Sequence, residues 1–269
     1  MSEPVIRLLA FASIFAIMAL LEIAVPRLNR PDMQGELKAR RWFTNLAMVV
    51  LSSVALRLVF PAAAVGTALW AQQAGYGLFN AVAAPWLLAA AIAFAVLDFA
   101  VWLEHLASHK IPVFWRIHRM HHSDNGFDLT TALRFHPLEI VLSMIWKAAV
   151  IVALGAPPEA VLIFEIVLNG MAMFNHANVR LPAALDKTLR WLLVTPDMHR
   201  VHHSAVQDET DSNYGFNLSV WDRLFSTYVG APKSGYPDMT IGLAEFKSAP
   251  TSSLAWSLML PFKGRINKS

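Results

Sequence analysis

The sequence predicts an all-α protein: a polytopic transmembrane helical bundle carrying a cytoplasmic, histidine-rich helical cap. Three observations carry this. Hydrophobic residues make up 56% of the 269 and charged residues only 15%, and mean hydropathy is +0.45, a balance typical of integral membrane proteins. No charged residue stands between Arg57 and Asp98, a run of 40 residues that no water-facing surface tolerates. All ten histidines fall between positions 105 and 203, at spacings that repeat on a helix face.

The first span is expected at about 5–25, long enough to cross a hydrocarbon core. It could be mistaken for a secretion signal. Its apolar run is longer than a typical signal core and no A-x-A site follows, so it reads as a retained span. A basic loop follows, with Arg27, Arg30, Lys38, Arg40 and Arg41. The second span is expected at about 43–65, interrupted by Arg57, which either snorkels to an interface or faces protein. Residues 66–82 are polar but uncharged and suit a loop or interfacial helix. The third span is expected at about 85–107.

Residues 138–174 form another apolar stretch, broken by Gly155-Ala156-Pro157-Pro158. Each half is short for a crossing, so the stretch reads as a helical hairpin that leaves and returns on one face. The rest is more polar and mostly helical, and nothing marks a second domain within 1–269. The basic loop belongs on the cytoplasmic side by the positive-inside rule, which also places the histidines there. A net charge of +3 and a pI near 9.3 therefore reflect topology rather than nucleic-acid binding. With no cysteine, disulfides, thiolate zinc sites and iron–sulfur clusters are excluded.

The histidines carry the chemistry. His105 and His109 form an HxxxH pair, His118, His121 and His122 an HxxHH box, and His199, His202 and His203 a second. Positions three and four apart share a helix face, so each group aims imidazoles inward. Eight nitrogens exceed what one four-coordinate zinc uses and suit two transition metals with positions left open. Imidazole alone does not choose among Fe, Zn, Cu and Ni. No glutamate stands three before any histidine, which excludes the Glu-x-x-His di-iron bundle, and HExxH is absent. Carboxylates would then orient the ring N–H groups from behind: Asp98, Glu104, Asp124, Asp211 and Asp222 are candidates. His176, at the end of the hairpin, is expected as a ninth ligand, and His136 behind the ligands.

His118-Arg-Met-His-His-Ser123 recurs as His199-Arg-Val-His-His-Ser204, and Gly126-Phe-Asp-Leu129 as Gly215-Phe-Asn-Leu218. The echo suggests one local turn used twice, each copy serving one metal.

With these boxes in this order between apolar spans, the chain resembles the fatty acid hydroxylase/sterol desaturase superfamily of membrane non-haem di-iron enzymes. Phe127–Glu139 and Asn213–Phe225 strengthen the resemblance, which covers about 95–230 closely; residues 105–230 would be the catalytic region. It implies two iron ions held by the eight box histidines with His176 as a further ligand. Asn213 joins the residues expected behind the ligands. It also implies O2-dependent hydroxylation or desaturation of a fatty acyl or sterol-like lipid. Electrons would come from a separate reductase, ferredoxin or cytochrome b5-like donor, and the lipid would enter from the bilayer between spans lined by Phe94, Phe99 and Trp102. Two other readings stay open: a non-catalytic metal-binding or transport protein, and a zinc-loaded hydrolase on the same scaffold. Transport is disfavoured because histidines occupy only one end of the spans.

Overall fold

The computed structural model describes residues 1–29 and 35–263; Arg30 of the basic loop lies outside them. The described residues are helical, with isolated bridges but no strands. Long helices run over Glu3–Ala24 (α1) and Gly35–Val59 (α2), followed by Ala63–Gln73 (α3) and a single turn, Leu78–Ala81 (α4). Trp86–Lys110 (α5) leads into Pro112–His122 (α6), and the hairpin is Pro137–Leu154 (α7) and Pro158–His176 (α8). Short helices complete the chain: Ala183–Leu189 (α9), Pro196–His202 (α10), Gln207–Thr210 (α11), Val220–Leu224 (α12) and Leu254–Met259 (α13).

Proline punctuates this order. It opens α1, α6, α7, α8 and α10 within the first turn, where a missing N–H costs nothing because that group has no intrahelical partner. The second span is not the single helix expected at 43–65. Pro61 interrupts it, and α3 packs on α7 and α8, so much of the segment expected as a loop or interfacial helix is helix. Arg57 lies exposed in the last turn of α2, where its charge suits the helix dipole.

Five helix ends meet at one end of the bundle. Glu22, closing α1, accepts the backbone N–H groups of Leu129 and Asn178 at 2.7 and 2.6 Å. Arg41, opening α2, pairs with Asp124 and Asp128 at 2.7 Å each. The C-termini of α5 and α8 and the start of α7 complete this end. At the opposite end the hairpin tip seats on the α3–α4 turn. A Cβ on Gly77 would lie 2.1 Å from the Gly155 nitrogen, so the two glycines permit that contact.

Alanines dominate the bundle interior: Ala64, Ala68, Ala89 and Ala93 are all but fully buried against Leu97, Ile151 and Phe164. Small residues let helix axes approach closely where lipid supplies no hydrophobic drive between helices. The outer surface is apolar instead, with Leu58 78% and Leu87 76% exposed. Among the described residues five stretches are long and apolar enough to cross a membrane, and an exterior this greasy needs lipid around it. The chain is a multi-pass membrane protein.

Candidate metal centre

Four elements deliver nine histidines to one place. His105 and His109 occupy the last turns of α5. Ile111 leaves the helix with φ −95° and ψ 117° and Pro112 begins α6, so the chain reverses and returns His118, His121 and His122 to the same spot. His176 ends α8. In α10 the Thr195 hydroxyl caps the N–H of Met198 at 3.4 Å, fixing the turn that bears His199, His202 and His203. All nine are buried.

They form two groups, within each of which the candidate ligand atoms lie within 4.8 Å of one another. One holds His105, His109, His118, His122 and His202; the other holds His121, His176, His199 and His203. This overturns the reading of one box per metal. Each box is split, its first and fifth positions joining one group and its fourth the other, and the two boxes make opposite assignments. The cause is helical geometry: adjacent residues point about 100° apart. The rings of His121 and His122 stand at 89° to each other, and those of His202 and His203 at 83°.

Hydrogen bonding decides which nitrogen faces inward. Nδ1 of His105, His202, His121 and His176 contacts the carbonyl oxygens of Tyr214, Ser212, Arg134 and Ala172, at 2.8, 2.6, 3.2 and 2.7 Å. Nδ1 of His118 lies 2.5 Å from Glu139 Oε1 and that of His109 3.3 Å from Asp211 Oδ1. An oxygen that only accepts requires a ring that donates, so these six carry their proton on Nδ1 and present a bare Nε2. Burial first, then the neighbouring rings, holds His121, His122, His199 and His203 well below the usual imidazole range; burial takes His202 down to about 3. Second protons are therefore disfavoured.

Bare nitrogens nevertheless crowd together. His105 Nε2 is 3.2 Å from His118 Nε2, and His109 Nε2 is 3.1 Å from His122 Nε2. Around His176 Nε2 stand those of His121, His199 and His203, at 3.1–3.2 Å. One nitrogen has one lone pair or one proton and cannot bond three others. His202 Nε2 is buried with no hydrogen-bond partner. Lone pairs facing lone pairs in a dry interior are what a bound cation relieves, and Nε2 atoms about 3 Å apart fit metal–nitrogen bonds of about 2 Å. The residues present fit a metal in each group.

The residues behind the rings differ in part from expectation. Asp211 does reach His109. Asp222 acts one step removed: it accepts the N–H groups of Tyr214 and Gly215 at 2.8 and 2.9 Å and that of Trp102 at 3.0 Å, fixing the loop whose carbonyl meets His105. Asn213, at φ +51°, ties Met198 to Val229. Asp98 takes Trp221 Nε1 at 2.8 Å, and Asp124 takes Arg41; neither meets a ring. His136 stands apart from both groups. Pro137 opens α7, which makes His136 its N-cap, and the two ring nitrogens meet Leu138 N and Leu258 O at 3.2 Å each. Glu139 was missed. Its only signal was an acid opening an apolar span, and its partner comes from a different helix.

A cavity of about 200 Å³ adjoins the five-histidine group, with His105 and His118 in its wall. Glu104 lines it rather than bonding a ring. Phe94, Phe99 and Trp102 do not line it: Phe94 packs on Phe164, and Phe99 and Trp102 stack with Phe225 on another face of α5.

The fatty acid hydroxylase profile matches residues 90–227, just over half of the chain. The ornithine lipid hydroxylase OlsE of Rhizobium tropici is 30% identical over 146 residues, covering 54% of this chain and 43% of that protein. An alkylglycerol monooxygenase of Xenopus tropicalis is 34% identical over 140 residues, 51% of this chain and 30% of that one. A cholesterol 25-hydroxylase-like protein of Danio rerio is 30% identical over 146 residues, 53% and 55% respectively. The chain thus spans under half the length of the first two relatives. No solved structure matches it. With both histidine boxes, the HxxxH pair and His176 inside the matched segment, the chain belongs to the fatty acid hydroxylase family.

Proposed function

We propose that the chain is an O2-dependent membrane oxidoreductase that hydroxylates or desaturates a lipid. The observation that carries this is the pair of adjoining all-nitrogen groups, one with a cavity beside it whose wall includes His105 and His118. The nine histidines hold two iron ions, and the relatives, by their names, are lipid hydroxylases and monooxygenases. Bound iron supplies the activation of O2 that no protein side chain can perform.

The protein's own residues do the rest. Glu139, Asp211 and the carbonyls of Tyr214, Ser212, Arg134 and Ala172 hold six of the rings in the tautomer that presents Nε2. Burial of all nine rings excludes water. In hydroxylation one C–H bond becomes C–OH; the second oxygen atom leaves as water, taking two electrons from an external donor and two protons from solvent. That donor, a reductase, ferredoxin or cytochrome b5-like protein, docks on the cytoplasmic side, supported by the basic residues that flank α1 and α2 at the histidine end.

Metal analysis of the purified protein tests the reading. About two irons per chain with lipid-dependent oxygen uptake is expected; zinc with no oxygen uptake sinks it. Mass spectrometry of lipids from a deletion strain then names the reaction, through a lost product bearing one extra oxygen or lacking two hydrogens.

A further inference from the structure

The cavity beside the five-histidine group has a largely apolar wall that carries a set of ionisable and hydroxyl groups. Glu104, Ser108, Glu139, Ser143, Lys147 and Glu165 all line it. Along α7, Glu139, Ser143 and Lys147 recur at every fourth position and form one stripe about 12 Å long. Ser143 donates to Glu104 Oε2 at 3.1 Å, and Lys147 to Glu165 Oε1 at 3.4 Å. Arg7 of α1 donates to Glu165 Oε2 at 2.6 Å. Among the described residues, Oε2 of Glu139 is buried with no partner. Ionisable groups within membrane spans are costly and serve a function when kept, and holding the His118 ring needs only one oxygen of Glu139.

A second, apolar space lies alongside. It measures about 450 Å³ between α5, α6 and α7, walled by Leu103, Phe114, Ile117, Leu142, Ile145 and Trp146. Phe114, Leu142 and Ile145 are 37%, 43% and 50% exposed on the outer surface. Glu104, Ser108 and Glu139 line both spaces, so the two meet at these residues. The inner cavity, at about 200 Å³, is of the order of an engineered cavity that takes one benzene.

We propose that the lipid enters head first. Its polar head, bearing hydroxyl or ammonium donors, sits in the inner cavity against Glu104, Glu139 and the Glu165–Lys147 pair, while the alkyl chain lies in the outer groove. The carbon presented beside His105 and His118 then belongs to the head or lies within a few bonds of it, not at the far end of the chain. This rests on the lipid oxygenase reading for what happens at that carbon; the binding orientation is separate from it.

Photoaffinity labelling tests the orientation without turnover. The probes are two hexadecanol analogues, with a diazirine beside the hydroxyl or at the last carbon, added to the purified protein in nanodiscs of neutral phospholipid. The hydroxyl-end diazirine is expected to label Ile140, Leu168 or Ala172 of the inner wall, and the chain-end diazirine Phe114, Ile117 or Leu142. Hexadecanol should compete at least about tenfold better than hexadecane, the effect of one hydrogen bond to a charged acceptor. Glu104→Leu, in protein that stays monodisperse, should weaken hydroxyl-end labelling about tenfold. Chain-end labelling of the inner wall, or no labelling there by either probe, overturns the proposal. Metal content and oxygen uptake measured on the same preparation judge the oxygenase reading independently of the labelling.

Discussion

Nδ1 of His118 lies 2.5 Å from Oε1 of Glu139, so a carboxylate on one helix fixes the tautomer of a ring on another. Glu139 is a positioning residue for the five-histidine group, and its two oxygens are separable in function. Glu139→Gln keeps a carbonyl oxygen able to accept the Nδ1 proton, whereas Glu139→Ala removes it. Metal affinity is expected to fall roughly 10–100-fold in the alanine variant and to be largely restored in the glutamine variant. Equal losses in both, by metal titration, would show that the negative charge rather than the acceptor matters.

The apolar spans were legible because length and hydropathy suffice to mark them, and the boxes because their spacing is short and local. What escaped depended on packing between distant segments. The break at Pro61 was readable from proline alone, yet nothing local says that α3 packs against α7 and α8. The exposed edge of the apolar reading was α5, where Phe94, Phe99 and Trp102 looked like a substrate wall. Phe164 covers Phe94, Trp221 and Phe225 cover Phe99 and Trp102, and Glu104 and Ser108, elsewhere on α5, border the cavity. The split of each box was available from the 100° rotation between adjacent residues; repetition of the motif suggested the simpler pairing.

That split makes neighbours separable. His202→Ala should empty the five-histidine group and His203→Ala the four-histidine group, though the residues are adjacent. Metal counts and the spectroscopic signature of each variant check this. The two variants should each lose about one metal and keep different residual spectra. Identical residual spectra would return the metals to one box each.

His136 should behave as a helix cap and nothing more. Its Nδ1 accepts the Leu138 N–H, so His136→Asn, which can also cap, should be close to neutral. His136→Ala should cost about 1 kcal/mol of stability, with metal content unchanged in both. Loss of metal from the alanine variant at temperatures below its melting point would place His136 with the metal centre instead.

Acid should weaken the metal-free protein through the same rings. His202 titrates near 3, and His121, His122, His199 and His203 sit well below their usual range because burial disfavours the charged form. In the unfolded chain each takes a proton near pH 6.5. Above that value both states are neutral and the full stability is present. As pH falls from about 6.5 towards 3 the unfolded state binds more protons, so stability declines with each unit. Bound metal should be released at the acid end of this window, where protons begin to compete for Nε2. A melting temperature of the metal-free protein that stays flat from pH 7 to about 4 would contradict the neutral, buried state of these rings.

Gly155 closes the hairpin at φ +66°, and a Cβ there would lie 2.7 Å from both Asn80 Nδ2 and the Tyr76 carbonyl. Gly75 has a similar φ of +70° but open space around it. Alanine at either position meets left-handed strain of about 1–2 kcal/mol. At Gly155 alone it must also push apart the tip and the α3–α4 turn. Gly155→Ala should therefore lower the melting temperature in detergent clearly more than Gly75→Ala. It should also loosen α7 and α8, the helices that carry Glu139 and His176, so metal affinity should fall in the first variant and hold in the second. Equal melting temperatures would mean that the hairpin tip does not seat on the turn, and that the far end of the bundle plays no part in holding the histidine end together.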